Sequence, residues 1–133
     1  MDTDPTAISE SLNGTLAALL GIRFIEASPD RVIAELAIRD DLRTVGGALH
    51  GGTLMALADT VGAAATMLNL PPGARTTTLE SKTNFFAAGR TRLVRAEATP
   101  LHRGKRTMVW QTRVADNVLV TVAFTRTRVR SVA

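Results

Sequence analysis

Residues 51–70 read Gly51-Gly52-Thr53-Leu54-Met55-Ala56-Leu57-Ala58-Asp59-Thr60-Val61-Gly62-Ala63-Ala64-Ala65-Thr66-Met67-Leu68-Asn69-Leu70, with one charged residue, Asp59, in their middle. The run predicts a long helix from about Gly51 to Leu68, ending before Pro71-Pro72. Its length and apolarity raise a membrane span. The alanine, glycine and threonine content argues against one, and a central aspartate there costs about 2.5–3.5 kcal/mol. At about 100° per residue, Leu54, Leu57, Val61, Ala64 and Leu68 form one stripe, the face for a sheet to hold. Asp59 lies almost opposite, among Met55, Ala56, Gly62, Ala63 and Thr66 rather than lysines and glutamates. A helix without a charged outer face is buried on both sides, so a second copy of the chain is expected over the Asp59 side.

The segments around this helix set the fold class. Asp4-Pro5 predicts a first helix carrying Ile8, Leu12, Leu16, Leu19 and Leu20 at helical spacing, with Gly21 as its stop. Strands are expected over 22–27 and 31–38, joined through Pro29-Asp30, and over 76–86, 90–101, 106–115 and 118–129. The short gaps between the later strands (Ala87-Ala88-Gly89, Arg103-Gly104-Lys105, Asp116-Asn117) predict antiparallel hairpins. The expected architecture is α+β: one antiparallel sheet packed on one long central helix, in a single domain over 1–133. No internal repeat or low-complexity tract breaks it.

Composition narrows the function. The chain has 133 residues, 45% hydrophobic and 21% charged, in the range of a soluble globular protein. It has no cysteine, which removes disulfides, thiol nucleophiles and thiolate metal sites. Two histidines, His50 and His102, stand apart from each other, and no metal site is expected. The acidic start, Met1-Asp2-Thr3-Asp4, lacks the basic and apolar regions of a secretory signal, and a cytoplasmic enzyme is expected. The net charge of +4 points to an anionic partner. Aromatic residues are 4% of the chain, too few for single-stranded nucleic-acid stacking, so a phosphate-bearing small molecule is favoured over nucleic acid.

Asp59 is a candidate acid, because a carboxylate on a buried helix must be paired, hydrated or useful. The alternative is an aspartate satisfied by Thr60 or by a facing helix. At the helix start, Gly51 and Gly52 leave backbone N–H groups able to polarise a carbonyl, with the positive end of the helix dipole behind them. Eight residues of helix separate Gly51 from Asp59 by about 12 Å, too far for one carbonyl to meet both. Two antiparallel copies about a two-fold axis can set Gly51 of one against Asp59 of the other. A composite site in a homo-oligomer follows, with dimer and tetramer (a dimer of dimers) both open.

The runs Gly47-Ala48-Leu49-His50-Gly51-Gly52 and Leu57-Ala58-Asp59-Thr60, with Thr83-Asn84-Phe85-Phe86-Ala87-Ala88-Gly89 after them, resemble the hotdog-fold thioesterases of the phenylacetic-acid-degradation (PaaI-like) type. The likeness covers about residues 20–130, and its most specific feature is the acid nine positions after the histidine. It implies hydrolysis of acyl-CoA or aryl-CoA thioesters with no cofactor, coenzyme A being part of the substrate. It implies that Gly51 donates its N–H to the thioester carbonyl and that Asp59, from the facing protomer, is nucleophile or general base. His50 would help hold the site, and Thr78 supplies a hydroxyl near the water. Six positions before the histidine, where such proteins often carry asparagine or glutamine, this chain has Thr44. Met55, Gly62, Ala63 and Thr66 are expected to shape the acyl pocket, and Arg90, Arg103, Lys105 and Arg106 to offer charge to coenzyme A phosphates. Arg126, Arg128 and Arg130 alternate along one strand and are expected on a solvent face. Two other readings share the scaffold: a non-catalytic acyl-CoA or lipid sensor, and a hotdog hydratase or dehydratase.

Overall fold

The computed structural model describes residues 2–131. Two short helices, α1 (Pro5–Ser11) and α2 (Leu16–Leu20), precede strands β1 (Arg23–Ser28) and β2 (Arg31–Ala37). A 3-10 turn (Asp40–Leu42) and a tight loop lead to α3 (Gly51–Met67). Strands β3 (Arg75–Phe85), β4 (Leu93–Arg103), β5 (Thr107–Ala115) and β6 (Leu119–Arg130) follow. All six strands form one sheet in the order β1-β2-β4-β5-β6-β3, with every neighbouring pair antiparallel. Strands β1 and β3 are therefore its edges. Among the described residues, no helix is long and apolar enough to cross a membrane.

Period-two patterning sets the two faces of the sheet. On β6, Thr121, Ala123, Thr125 and Thr127 are fully buried and alternate with exposed Phe124, Arg126, Arg128 and Arg130. Val32, Ala34 and Leu36 on β2 and Val94, Ala96 and Ala98 on β4 complete the inner face. Helix α3 lies against it, with Leu54, Leu57, Val61 and Ala64 in the core and Leu68 packed at its margin, as the apolar stripe predicts.

The helix is also held on part of its opposite side. A Cβ built on Gly62 would stand 3.1 Å from Thr125 Cβ, so a side chain here would push helix and β6 apart by a few tenths of an ångström. One turn on, Thr66 Oγ1 lies 2.7 Å from Thr127 Oγ1 and accepts from Trp110 Nε1 at 2.9 Å. The face that begins at β3 beside Asp59 thus crosses β6 at Gly62 and reaches β5 at Trp110. The helix runs obliquely under a curled sheet, and its own sheet covers this end.

One element differs from expectation. The first helix does not run unbroken to Leu20. It stops at Ser11 and restarts at Leu16, with Gly14 at φ +84° between them. Asn13 and Gly14 are poor helix residues, and Gly14 takes the left-handed conformation that the turn needs. Both outer signals hold: Asp4 accepts the Thr6 N–H, and Gly21 closes α2 at φ +81°. The β4 strand starts at Leu93 rather than Arg90, because Arg90 belongs to the preceding loop.

Candidate active site

The start of α3 explains the His-Gly-Gly order. His50 is the N-cap, and its Nδ1 accepts the Gly52 N–H at 2.7 Å. A Cβ on Gly52 would lie 2.9 Å from that Nδ1, so glycine lets the ring fold back onto the helix. The Gly52 N–H is thereby engaged and is not open to a substrate. The Gly51 N–H has no acceptor among the described residues. Above Gly51 lies the Phe85 ring, whose Cζ is 3.2 Å from the position of a Cβ there. The preceding loop is tied down by Leu49 N–H to the Gly89 carbonyl and His50 N–H to the Leu42 carbonyl, both at 2.9 Å. Thr44 starts that loop. Its N–H and carbonyl bond Ala48 and Gly47, while its hydroxyl has no partner among the described residues.

Two turns along α3, half-buried Asp59 takes a hydrogen bond from Thr78 Oγ1 to Oδ1 at 2.6 Å. Thr78 sits just before a bulge at Leu79, where the β3–β6 register shifts. This bond engages one carboxylate oxygen, and Asp59 also lines a cavity of about 270 Å³. The cavity lies between α3 and the α1–α2 pair. Leu12, Leu16, Ala63 and Met67 line it beside Asp59 and Thr60.

The expected site residues therefore divide. His50, Gly51 and Thr44 gather at the N-terminal end of α3, and Asp59 and Thr78 pair two turns away, about 12 Å along the axis. Ala63 faces the cavity, and Met55 is exposed on the same helix. Gly62 and Thr66 do not line the cavity beside Asp59. Both are buried against the sheet, and the Thr66 hydroxyl is used within the core. Sequence reasoning missed Phe85, Leu12, Leu16 and Met67. The helical spacing of Leu12 and Leu16 marked an apolar face without telling what that face would meet.

The cations divide too. Arg90 donates to the Gly46 carbonyl at 2.9 Å, and Arg103 pairs with Asp30 at 2.7 Å, so both brace loops. Lys105 is exposed in the β4–β5 turn. Arg106 lines a second cavity, of about 590 Å³, with Arg128, Arg130, Thr107 and Leu79. Arg126, Arg128 and Arg130 are exposed, and Arg75 stands directly across from Arg130 in the ladder. Like charges so placed repel; Arg126 has Glu80 across from it in the ladder, but none of these arginines forms a salt bridge among the described residues. No group of three or more histidine, aspartate or glutamate side chains comes together to hold a metal among those residues.

Comparison with known proteins agrees with this fold. The family model of the thioesterase superfamily matches residues 46–123, which include both halves of the site. A 1,4-dihydroxy-2-naphthoyl-CoA hydrolase of Escherichia coli K12 is 32% identical over 111 residues, covering 80% of this chain and 82% of its own. A thioesterase structure from Haemophilus influenzae matches with a TM-score of 0.93 at 26% identity, covering 98% of this chain and 93% of that chain. The PaaI protein of Escherichia coli, at 21% identity and a TM-score of 0.80 over 96% of this chain and 91% of that one, shares the hotdog fold.

Proposed function

The chain belongs to the thioesterase superfamily, and on that premise we propose that it hydrolyses acyl-CoA or aryl-CoA thioesters at a site shared by two protomers. One observation carries the reading. Asp59, held by Thr78, opens on an apolar cavity, while the free Gly51 N–H lies too far along the same helix to serve the same carbonyl. The unpaired edge of β3, next to Asp59, supports a facing copy, because an exposed eleven-residue edge strand invites pairing.

In this arrangement the Gly51 N–H of one protomer takes the thioester carbonyl oxygen and the developing oxyanion. Asp59 of the other acts through its free oxygen, as nucleophile or as base toward water. The C–S bond breaks, coenzyme A leaves as thiolate and takes up a proton, and water's oxygen ends in the free acid. Thr44, on the Gly51 side, is the hydroxyl placed to hold water where asparagine or glutamine would otherwise stand. The Arg106, Arg128 and Arg130 cluster receives the phosphates of coenzyme A, with Lys105 beside it. The cognate acid of the Escherichia coli relative, a dihydroxynaphthoate, makes an aryl thioester a natural candidate substrate.

Mixed dimers test the shared site. Gly51→Val, which sets a side chain against the Phe85 ring, and Asp59→Ala should each be nearly inactive alone. Coexpressed in equal amounts, half the dimers are mixed and each holds one intact site, restoring about a quarter of wild-type turnover. No restoration in verified mixed dimers would place both groups in one protomer and refute the arrangement.

A further inference from the structure

The cavity beside Asp59 has a roof built from α1, α2 and the turn between them, and that roof is fixed in place. Ser9 Oγ accepts the Phe24 N–H at 3.0 Å, tying α1 to β1. Arg39 donates to the Leu19 and Leu20 carbonyls, each at 2.9 Å, and its Nε pairs with Asp41 at 2.7 Å. A guanidinium on the last carbonyls of a helix satisfies groups the helix leaves open and complements its dipole. With α1 tied at Ser9 and α2 at its end, the break at 12–15 sets Leu12 and Leu16 over Ala63 and Met67.

We infer that this cavity seats the acyl group, that the group is apolar and larger than a single ring, and that Leu12, Leu16 and Met67 set its size. The inference rests on the thioesterase reading for the role of Asp59 and adds the substrate class. Volume carries the first part. A cavity of about 150 Å³ lined by apolar side chains holds benzene, and this one is about 270 Å³. Whole ligands fill roughly 300 Å³ or more, so the space suits one part of a substrate: a bicyclic aryl or medium alkyl group. Lining chemistry carries the second. Besides Asp59, the polar side chains in the wall are Thr15 and Thr60, and the Thr15 hydroxyl already donates to the Leu12 carbonyl at 2.6 Å. With Thr60 the one wall hydroxyl not already engaged among the described residues, a second hydroxyl on the acyl group would lie against hydrocarbon without a partner, at a loss of roughly tenfold in affinity.

Leu16 is 59% exposed, so replacing it changes the cavity mouth more than the core. The test measures kcat/KM on acetyl-, phenylacetyl-, 2-naphthoyl- and 1,4-dihydroxy-2-naphthoyl-CoA for wild type, Leu16→Trp and Leu16→Ala. The wild type should favour 2-naphthoyl over acetyl by tenfold or more, and over the dihydroxy compound by roughly tenfold. Leu16→Trp should lower the naphthoyl-to-acetyl ratio at least tenfold, and Leu16→Ala should shift the preference to larger groups. Ratios unchanged by both variants, or a preference for the dihydroxylated group, would overturn the inference. Binding of free 2-naphthoate, read by thermal shift, separates it from the hydrolase reading. If no thioester is cleaved yet naphthoate binds wild type and not Leu16→Trp, hydrolysis fails and the cavity assignment stands. No naphthoate binding by the wild type, together with no size dependence among thioesters, removes the assignment itself.

Discussion

Replacing Thr78 by valine keeps the shape and β-branching that suit the strand while removing one hydroxyl. That hydroxyl donates to Asp59 Oδ1 at 2.6 Å. A hydrogen bond to a charged acceptor contributes about 1.5–3 kcal/mol. Thr78 is exposed, so water can replace part of the bond, and the lower end applies. About 1.5 kcal/mol corresponds to roughly a tenfold loss of rate. On the proposed mechanism the bond orients the acting carboxylate rather than the substrate, so the loss should fall on kcat and kcat/KM alike, with KM little changed. Thiol release on an aryl-CoA substrate measures both parameters, and thermal unfolding of the same samples measures stability. Thr78→Ser, which keeps the donor, should recover most of the rate. A Thr78→Val protein with kcat within twofold of wild type would refute the idea that this bond orients Asp59. So would a loss matched by unfolding.

Two further predictions concern stability. Thr66→Val leaves the Trp110 Nε1–H buried without its acceptor and takes a partner from Thr127, so unfolding should be easier by about 1–3 kcal/mol, while Thr66→Ser stays near wild type; equal melting temperatures for Val and Ser would contradict the network. In the β5–β6 turn, the Val118 N–H at 3.0 Å, helped by the Thr91 hydroxyl at 3.2 Å, holds the Asp116 carboxyl below its ordinary value of 3.8. Its contribution to stability is therefore present above pH 3.8 and lost as pH falls through the lowered value. Melting temperature followed from pH 6 to pH 2 should show a smaller acid loss in Asp116→Asn than in wild type, and parallel curves would remove the assignment.

The sequence carried the helix and the sheet plainly, because both follow from local periodicity. One charge in twenty residues, a five-residue apolar stripe and period-two strands each have a direct physical reading. Asp59 and Gly51 were legible for the same reason: each is an anomaly against its own background. Gly62 and Thr66 misled, because a helical wheel sorts side chains by angle and takes no account of a sheet that curls around the helix. At Asp59 that angle faces a cavity; one to two turns later it faces Thr125, Thr127 and Trp110. The arginines were mixed for a related reason. Composition gives charge, but only the fold sets Arg90 on a loop carbonyl and Arg103 on Asp30 while leaving Arg106 with Arg128 and Arg130. The cavity roof was hidden because its residues are remote in sequence from Asp59 and are brought there by ties at Ser9 and Arg39.

Cleavage of coenzyme A thioesters through Asp59 is what the proposed function stands on. The most direct measurement is thiol release by the purified protein on a panel of aryl- and acyl-CoA substrates, beside Asp59→Ala checked for fold and oligomeric state. Release should fall by orders of magnitude in the folded variant. Near-normal release by Asp59→Ala would contradict the assignment of Asp59, and tight thioester binding with no release by the wild type would make the protein a sensor.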